Sequence, residues 1–196
     1  MRKSIAILTS IGLAVLATGC GNSTPSTDMS QVGKRTLAAM DAYDKYLKAN
    51  NVTKAEDKHM AQFNALLQSA MNQKPQFHGK LIATQIKKNA SFEGFNDDNG
   101  NGAVDSGEKR IFTVEIDQAN KRIITTDTSG RSSGFGMTGM GFLAGALMGN
   151  LMGRQRAAGI SPTQFNNRKM SPPAGASRTS SRSRSGARSG GLFRGK

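Results

Sequence analysis

Between Gln31 and Lys48 the apolar residues Leu37, Met40, Tyr43 and Leu47 recur three or four positions apart, which gathers them on one face of a helix. Asn50 and Asn51 end it. Thr53 followed by Glu56 is a capping-box pattern, in which each side chain can satisfy the other's free backbone amide, so a second helix is expected to start there. Its stripe is Met60, Phe63, Leu66, Leu67, Ala70 and Met71, and Lys74-Pro75 forbids a further turn. Two such helices form a hairpin whose apolar faces need another layer to cover them.

That layer follows in the sequence. Leu81 to Ser91 and Phe92 to Phe95 show broken alternation. Ile111 to Ile116 alternates cleanly, with Phe112, Val114 and Ile116 opposite Thr113 and Glu115, and Arg122 to Thr126 is rich in β-branched residues. Asp117 to Lys121 reads as the hairpin turn between the last two. The expectation is a three-stranded antiparallel meander over roughly 80–127, covered on one face by the helices: an α+β domain spanning 31–130.

After Ser129-Gly130 the composition changes. Residues 134–153 hold seven glycines, four methionines and no charge, and 154–196 are dominated by Arg, Ser, Gly and Pro. The expected organisation is therefore a Gly/Met-rich hydrophobic segment at 131–153 and a disordered basic tail at 154–196. The formal charge of +14 belongs mainly to that tail, because all 13 acids lie between Asp28 and Asp127. Hydrophobic residues make up only 36% of the chain, which limits it to one modest core.

The N-terminus reads in three parts: Arg2 and Lys3, then the apolar run Ile5 to Leu16, then small residues before Cys20. Leu16-Ala17-Thr18-Gly19-Cys20 resembles the bacterial lipobox, with Ala17 where Leu is commonest. The resemblance implies a signal peptide at 1–19, cleavage before Cys20, covalent lipid (diacylglycerol and a further acyl chain) on that cysteine, and membrane anchoring through it. Residues 20–30, small and polar, would be a flexible tether. Gly21 is not the Asp that favours inner-membrane retention in well-studied lipoproteins, so the resemblance implies the outer membrane, facing the periplasm. Cys20 is the only cysteine, so no internal disulfide can form.

Asp97-Asp98-Asn99-Gly100-Asn101-Gly102-Ala103-Val104-Asp105-Ser106-Gly107-Glu108 resembles the twelve-residue EF-hand calcium loop. By that resemblance Asp97, Asn99 and Asn101 offer side-chain oxygens, Ala103 its carbonyl, Asp105 a direct or water-mediated contact and Glu108 two oxygens. Gly102 falls at the sharp turn, and Val104 is an apolar plug. The flanks read as strands where the family has helices. Asn at the third and fifth positions leaves three formal charges, implying weak calcium binding, about 0.1–1 mM. The competing reading is an Asn/Asp/Gly-rich turn between two strands.

Gly141, Gly145, Gly149 and Gly153 recur every four residues and resemble the glycine-zipper segments of some envelope lipoproteins, which implies close helix association at a membrane or between copies. As one helix, Phe135 to Gly153 would extend about 28 Å, near the hydrocarbon thickness. An inner-membrane span is thus the alternative topology, and a linker or a helix packed on the domain is the competing reading. Met137 and Met140 could pair on Cu(I), although apolar filling is the commoner use of methionine.

The basic tail would meet anionic lipid or lipopolysaccharide, since an exported chain encounters little nucleic acid. His59 and His78 stand in no metal-binding spacing and read as surface residues, and no nucleophile motif or phosphate loop is present. The leading expectation is a noncatalytic, lipid-anchored envelope lipoprotein with a calcium loop. Its rivals are a calcium-responsive binding module for a soluble or polymeric ligand, and a periplasmic hydrolase without a recognisable motif.

Overall fold

The structure is a computed structural model that describes residues 27–172. The expected signal peptide at 1–19, Cys20 and the end of the expected basic tail lie outside the described residues.

Helix α1 (Met29–Ala49) starts two residues earlier than the stripe alone indicates. Asp28 caps it, its carboxylate accepting from Ser30 N at 2.8 Å and Gln31 N at 3.3 Å. Met29 and Val32 thereby join Leu37, Met40, Tyr43 and Leu47 in the core, and the expected tether is shortened at its domain end. Helix α2 (Asp57–Met71) starts at Glu56, not Thr53. His59 Nδ1 accepts from the Glu56 backbone N–H at 2.9 Å, so the cap is shifted by three residues and His59 is a buried capping side chain, not a surface one. Phe63 of α2 packs on Tyr43 of α1, with ring centroids 5.6 Å apart. Arg35 fastens the far end of the hairpin: its guanidinium donates to the carbonyls of Ala70, Met71, Gln73 and Pro75 and lies over the Phe77 ring. A cation there also meets the negative end of the α2 dipole.

The helices cover one face of a five-stranded antiparallel sheet in the order β1-β2-β3-β4-β5. Its strands are β1 (Leu81–Ile86), β2 (Phe92–Asp97), β3 (Arg110–Asp117), β4 (Arg122–Asp127) and β5 (Ser132–Gly136). The α+β class is as the sequence indicates, but two strands go beyond the expected three. The first arises because Lys87–Ser91 is a turn: Lys87 N donates to Ser91 O, Asn89 Oδ1 accepts from Ser91 N, and Ala90 takes a left-handed φ of 61°. No glycine or proline marks that turn. The second, β5, consists of Ser, Gly and a single Phe. Phe135 anchors it by lying against Gly33 of α1, where any side chain would overlap the ring.

Ile82, Phe92, Val114, Ile116 and Ile123 share the inner face and are fully buried. Phe92 meets Phe63 edge-on at 5.5 Å. Each such side chain contributes about 1.5–3 kcal/mol by leaving water.

The domain does not end at Gly130. Helix α3 (Ala146–Ala157) packs on α1, burying Leu147, Met148, Leu151 and Met152, and Gln155 Nε2 donates to Ile116 O at 2.9 Å. Residues 162–171 then cross the outer face of the sheet. Phe165 is buried, Arg168 pairs with Glu115, and Ser171 N donates to Ser132 O at 2.7 Å, covering the β5 edge. The portion 154–172 of the expected disordered tail therefore belongs to the folded unit.

Candidate functional site

The loop Asp97–Glu108 joins β2 to β3. Three of its glycines hold left-handed conformations, with φ of 73° at Gly100, 74° at Gly102 and 96° at Gly107. Only glycine takes these at no steric cost, and they curl the chain so that side chains of alternate residues turn inward. Asp97 accepts from Asn101 N at 3.1 Å and Gly102 N at 2.9 Å, which ties the loop's first residue to its sharpest turn. Glu108 closes the ring by accepting from Asp98 N at 3.1 Å and Asp105 N at 3.0 Å. The Asn99 and Asn101 amides both donate to Asp105 Oδ2 at 2.8 Å. These two hydrogen bonds hold the exposed Asp105 carboxyl below the ordinary Asp value, since they favour the charged form. Ala103 is exposed, its N–H donating to Asn101 Oδ1 at 2.7 Å.

The arrangement brings Asp97, Asn99, Asn101, Asp105 and Glu108 into one hydrogen-bonded ring. Among the described residues no three or more His, Cys, Asp or Glu side chains gather as a metal-holding group. The ring's donors suit a hard cation when the Asn oxygens and the Ala103 carbonyl are counted with the three acids, because calcium takes six to eight oxygens. Asn99 and Asn101 would then present Oδ1 where Nδ2 now donates, a rotation about a single torsion.

The loop is not suspended in solvent. A methyl added to Gly102 would stand 2.9 Å from Gln68 Nε2 of α2, so the turn rests on that side chain. Val104 lines a cleft of about 350 Å3 with Met60, Asn64, Thr84 and Ile86. Beneath the loop, α2 seals the outer edge of β1 with side chains four residues apart. Asn72 accepts from Ile82 N at 2.9 Å and donates to Ile82 O at 2.8 Å. Gln68 Oε1 accepts from Thr84 N at 3.0 Å, and Asn64 donates to Thr84 O at 2.9 Å. Four helical residues rise about 6.0 Å and two strand residues about 6.6–6.8 Å, so Asn72 and Gln68 keep step with Ile82 and Thr84, and Asn64 reaches back to Thr84 O. This seam was not anticipated. The Asn64, Gln68, Asn72 repeat was its only trace in the sequence.

His78 connects the loop to the entry of the chain. One ring nitrogen lies 2.7 Å from Asn96 Oδ1, next to Asp97, and the other 3.1 Å from Thr27 Oγ1, just before α1.

The glycine segment is rearranged relative to expectation. Phe135 and Gly136 lie in β5, Gly141–Ala144 is a 3₁₀ turn, and Gly145 is extended, so no single helix runs from Phe135 to Gly153. Among the described residues no helix is long and apolar enough to cross a membrane, and the inner-membrane span loses its helix. Gly141 O accepts from Lys48 Nζ at 3.2 Å. Gly145 lies directly on Asp44, whose side chain is 3% exposed and paired with Lys48 at 2.6 Å. Gly149 and Gly153 have open space where a Cβ would stand, and with Gly145, Lys54, Lys88 and Arg154 they line a cleft of about 700 Å3. Met137 is fully buried in the core and Met140 packs against the same cluster, as apolar filling.

The fold and loop define an α+β domain with an oxygen-rich loop seated on its first helix-strand seam. No protein-family model matches the chain, and no curated protein or solved structure does either.

Proposed function

We propose that the protein is a noncatalytic, lipid-anchored envelope lipoprotein whose α+β domain carries a structural calcium loop close to its anchored end. The observation that carries the reading is the Asp97–Glu108 ring: oxygen-bearing side chains at the spacing of a calcium loop, curled by glycines at left-handed positions. The lipobox-like Leu16 to Cys20 supports the anchor, and only six residues separate Cys20 from Thr27. Fully extended, that stretch reaches about 25 Å. Thr27 is two hydrogen bonds, through His78, from Asn96, the residue before the loop, which supports a loop at the tethered end of an anchored domain. Lipid or lipopolysaccharide phosphates are the partners that such a position and the basic tail would meet.

Calorimetric titration of the full chain with calcium chloride tests the loop, and saturable heat at 0.1–1 mM is the expected outcome. Absence of heat at several millimolar would overturn it. Mass spectrometry of the native product tests the anchor, with acylated Cys20 at the N-terminus expected and an unmodified thiol fatal to it.

A further inference from the structure

We infer that the Asp97–Glu108 loop is a latch on the α2–β1 seam, so that calcium held in the loop sets how readily the outer edge of β1 opens. The inference rests on the calcium reading above and assigns that site a consequence.

The coupling runs through one side chain. Gln68 Oε1 holds the Thr84 N–H, while its Nε2 lies close beside Gly102, 2.9 Å from where a Cβ on that residue would stand. The Gly102 N–H in turn donates to Asp97, the loop's first oxygen donor. The residue whose N–H closes the loop around Asp97 is thus the residue that lies beside Gln68, the side chain that holds β1. A loop drawn tight holds Gln68 in place; a loose one frees it and releases Thr84. Val104 lines the cleft that lies between the loop and the Asn64–Thr84 part of the seam.

The edge beneath is the kind that needs such cover. Ile82 and Thr84 direct their backbone groups away from β2, and only amide side chains of α2 satisfy them. Side-chain hydrogen bonds at an edge open locally at lower cost than a strand ladder, and an opened edge is a template for strand pairing. The opposite edge has no comparable control, because Ser171 meets β5 through the backbone itself.

A cation bound only by the latched form slows opening by a factor of one plus its concentration over Kd. Amide hydrogen exchange on the full chain at calcium near ten times Kd should therefore show Thr84 slowed about tenfold, with Ile124 of β4 unchanged. Gln68→Leu, which keeps bulk but removes both amide contacts, should retain calcium heat and lose the slowing at Thr84. Circular dichroism and the retained calcium heat check that the variant is folded. Calcium heat without slowing at Thr84 overturns the latch and leaves the calcium loop standing. Slowing that persists in a folded Gln68→Leu chain overturns the latch as well. No calcium heat removes both ideas together.

Discussion

Two segments of this chain are rich in glycine, and they use it in opposite ways. In Asp97–Glu108 the glycines turn the backbone through left-handed conformations, and most of them have open space around the missing side chain. In Gly141–Gly153 the zipper glycines have ordinary backbone angles, and the one that matters most, Gly145, is there because Asp44 occupies the volume of its side chain. The first use is a property of local conformation. The second is a property of a contact between residues about a hundred positions apart, at which α3 begins with a free amide turn beside a buried carboxylate.

The most damaging test of this contrast is Gly145→Ala. Its methyl would overlap Asp44 Oδ1, and Asp44 is pinned by Lys48 and by burial, so α3 must lift off α1. We expect a loss of about 3 kcal/mol, at the upper end of overpacking costs, read from urea unfolding of the full chain. A loss below about 1 kcal/mol would mean the contact can relax. Next is Gly102→Ala, which forces alanine to φ 74° and brings Cβ to 2.9 Å from Gln68 Nε2. The strained conformation costs about 1–2 kcal/mol, and calcium heat should fall with it. Full calcium binding by a stable Gly102→Ala chain would show that the turn is not part of the site.

The same contrast explains what could be read in advance. Helix stripes, the clean alternation of β3 and the loop's glycine spacing are local patterns, and each was legible from neighbouring residues. The Lys87–Ser91 turn was hidden because Ala90 adopts the left-handed angle usually left to glycine, with Asn89 supplying the supporting hydrogen bonds. Strand β5 was hidden because its one large residue, Phe135, finds its partner at Gly33, far back in the chain. The four-residue glycine repeat was visible, but its period does not disclose that the helix breaks at Gly145 or that Asp44 waits there. Capping shifted from Thr53 to Glu56 for a related reason: His59 is free to cap because α2 buries it.

Gly149→Ala reverses the sign of the effect. Gly149 sits inside α3 with no atom near its absent Cβ, so alanine adds helix propensity without a clash. A gain of up to about 1 kcal/mol is expected, measured by the same unfolding curves. A glycine zipper between copies would instead need the smooth face. A Gly149→Ala chain that is less stable, with a matching loss of self-association in sedimentation, would restore the zipper and erase the difference between Gly149 and Gly145.

The smallest effect falls on Asp105 and tests the loop without adding a cation. The Asn99 and Asn101 amides favour its charged form, so its folded pKa lies below the ordinary 3.8. Between the two values the unfolded chain binds more protons than the folded one, so this contribution to stability is present above pH 3.8 and is lost as pH falls through the folded value. An NMR titration of the Asp105 carboxyl should show the depression, and Asn99→Ala with Asn101→Ala should return the value toward 3.8. An undepressed Asp105 in the parent chain would mean that the ring is open in solution. Glycine spacing would then have fixed the path of the backbone without gathering the oxygens, and the two glycine-rich segments would differ less than their conformations indicate.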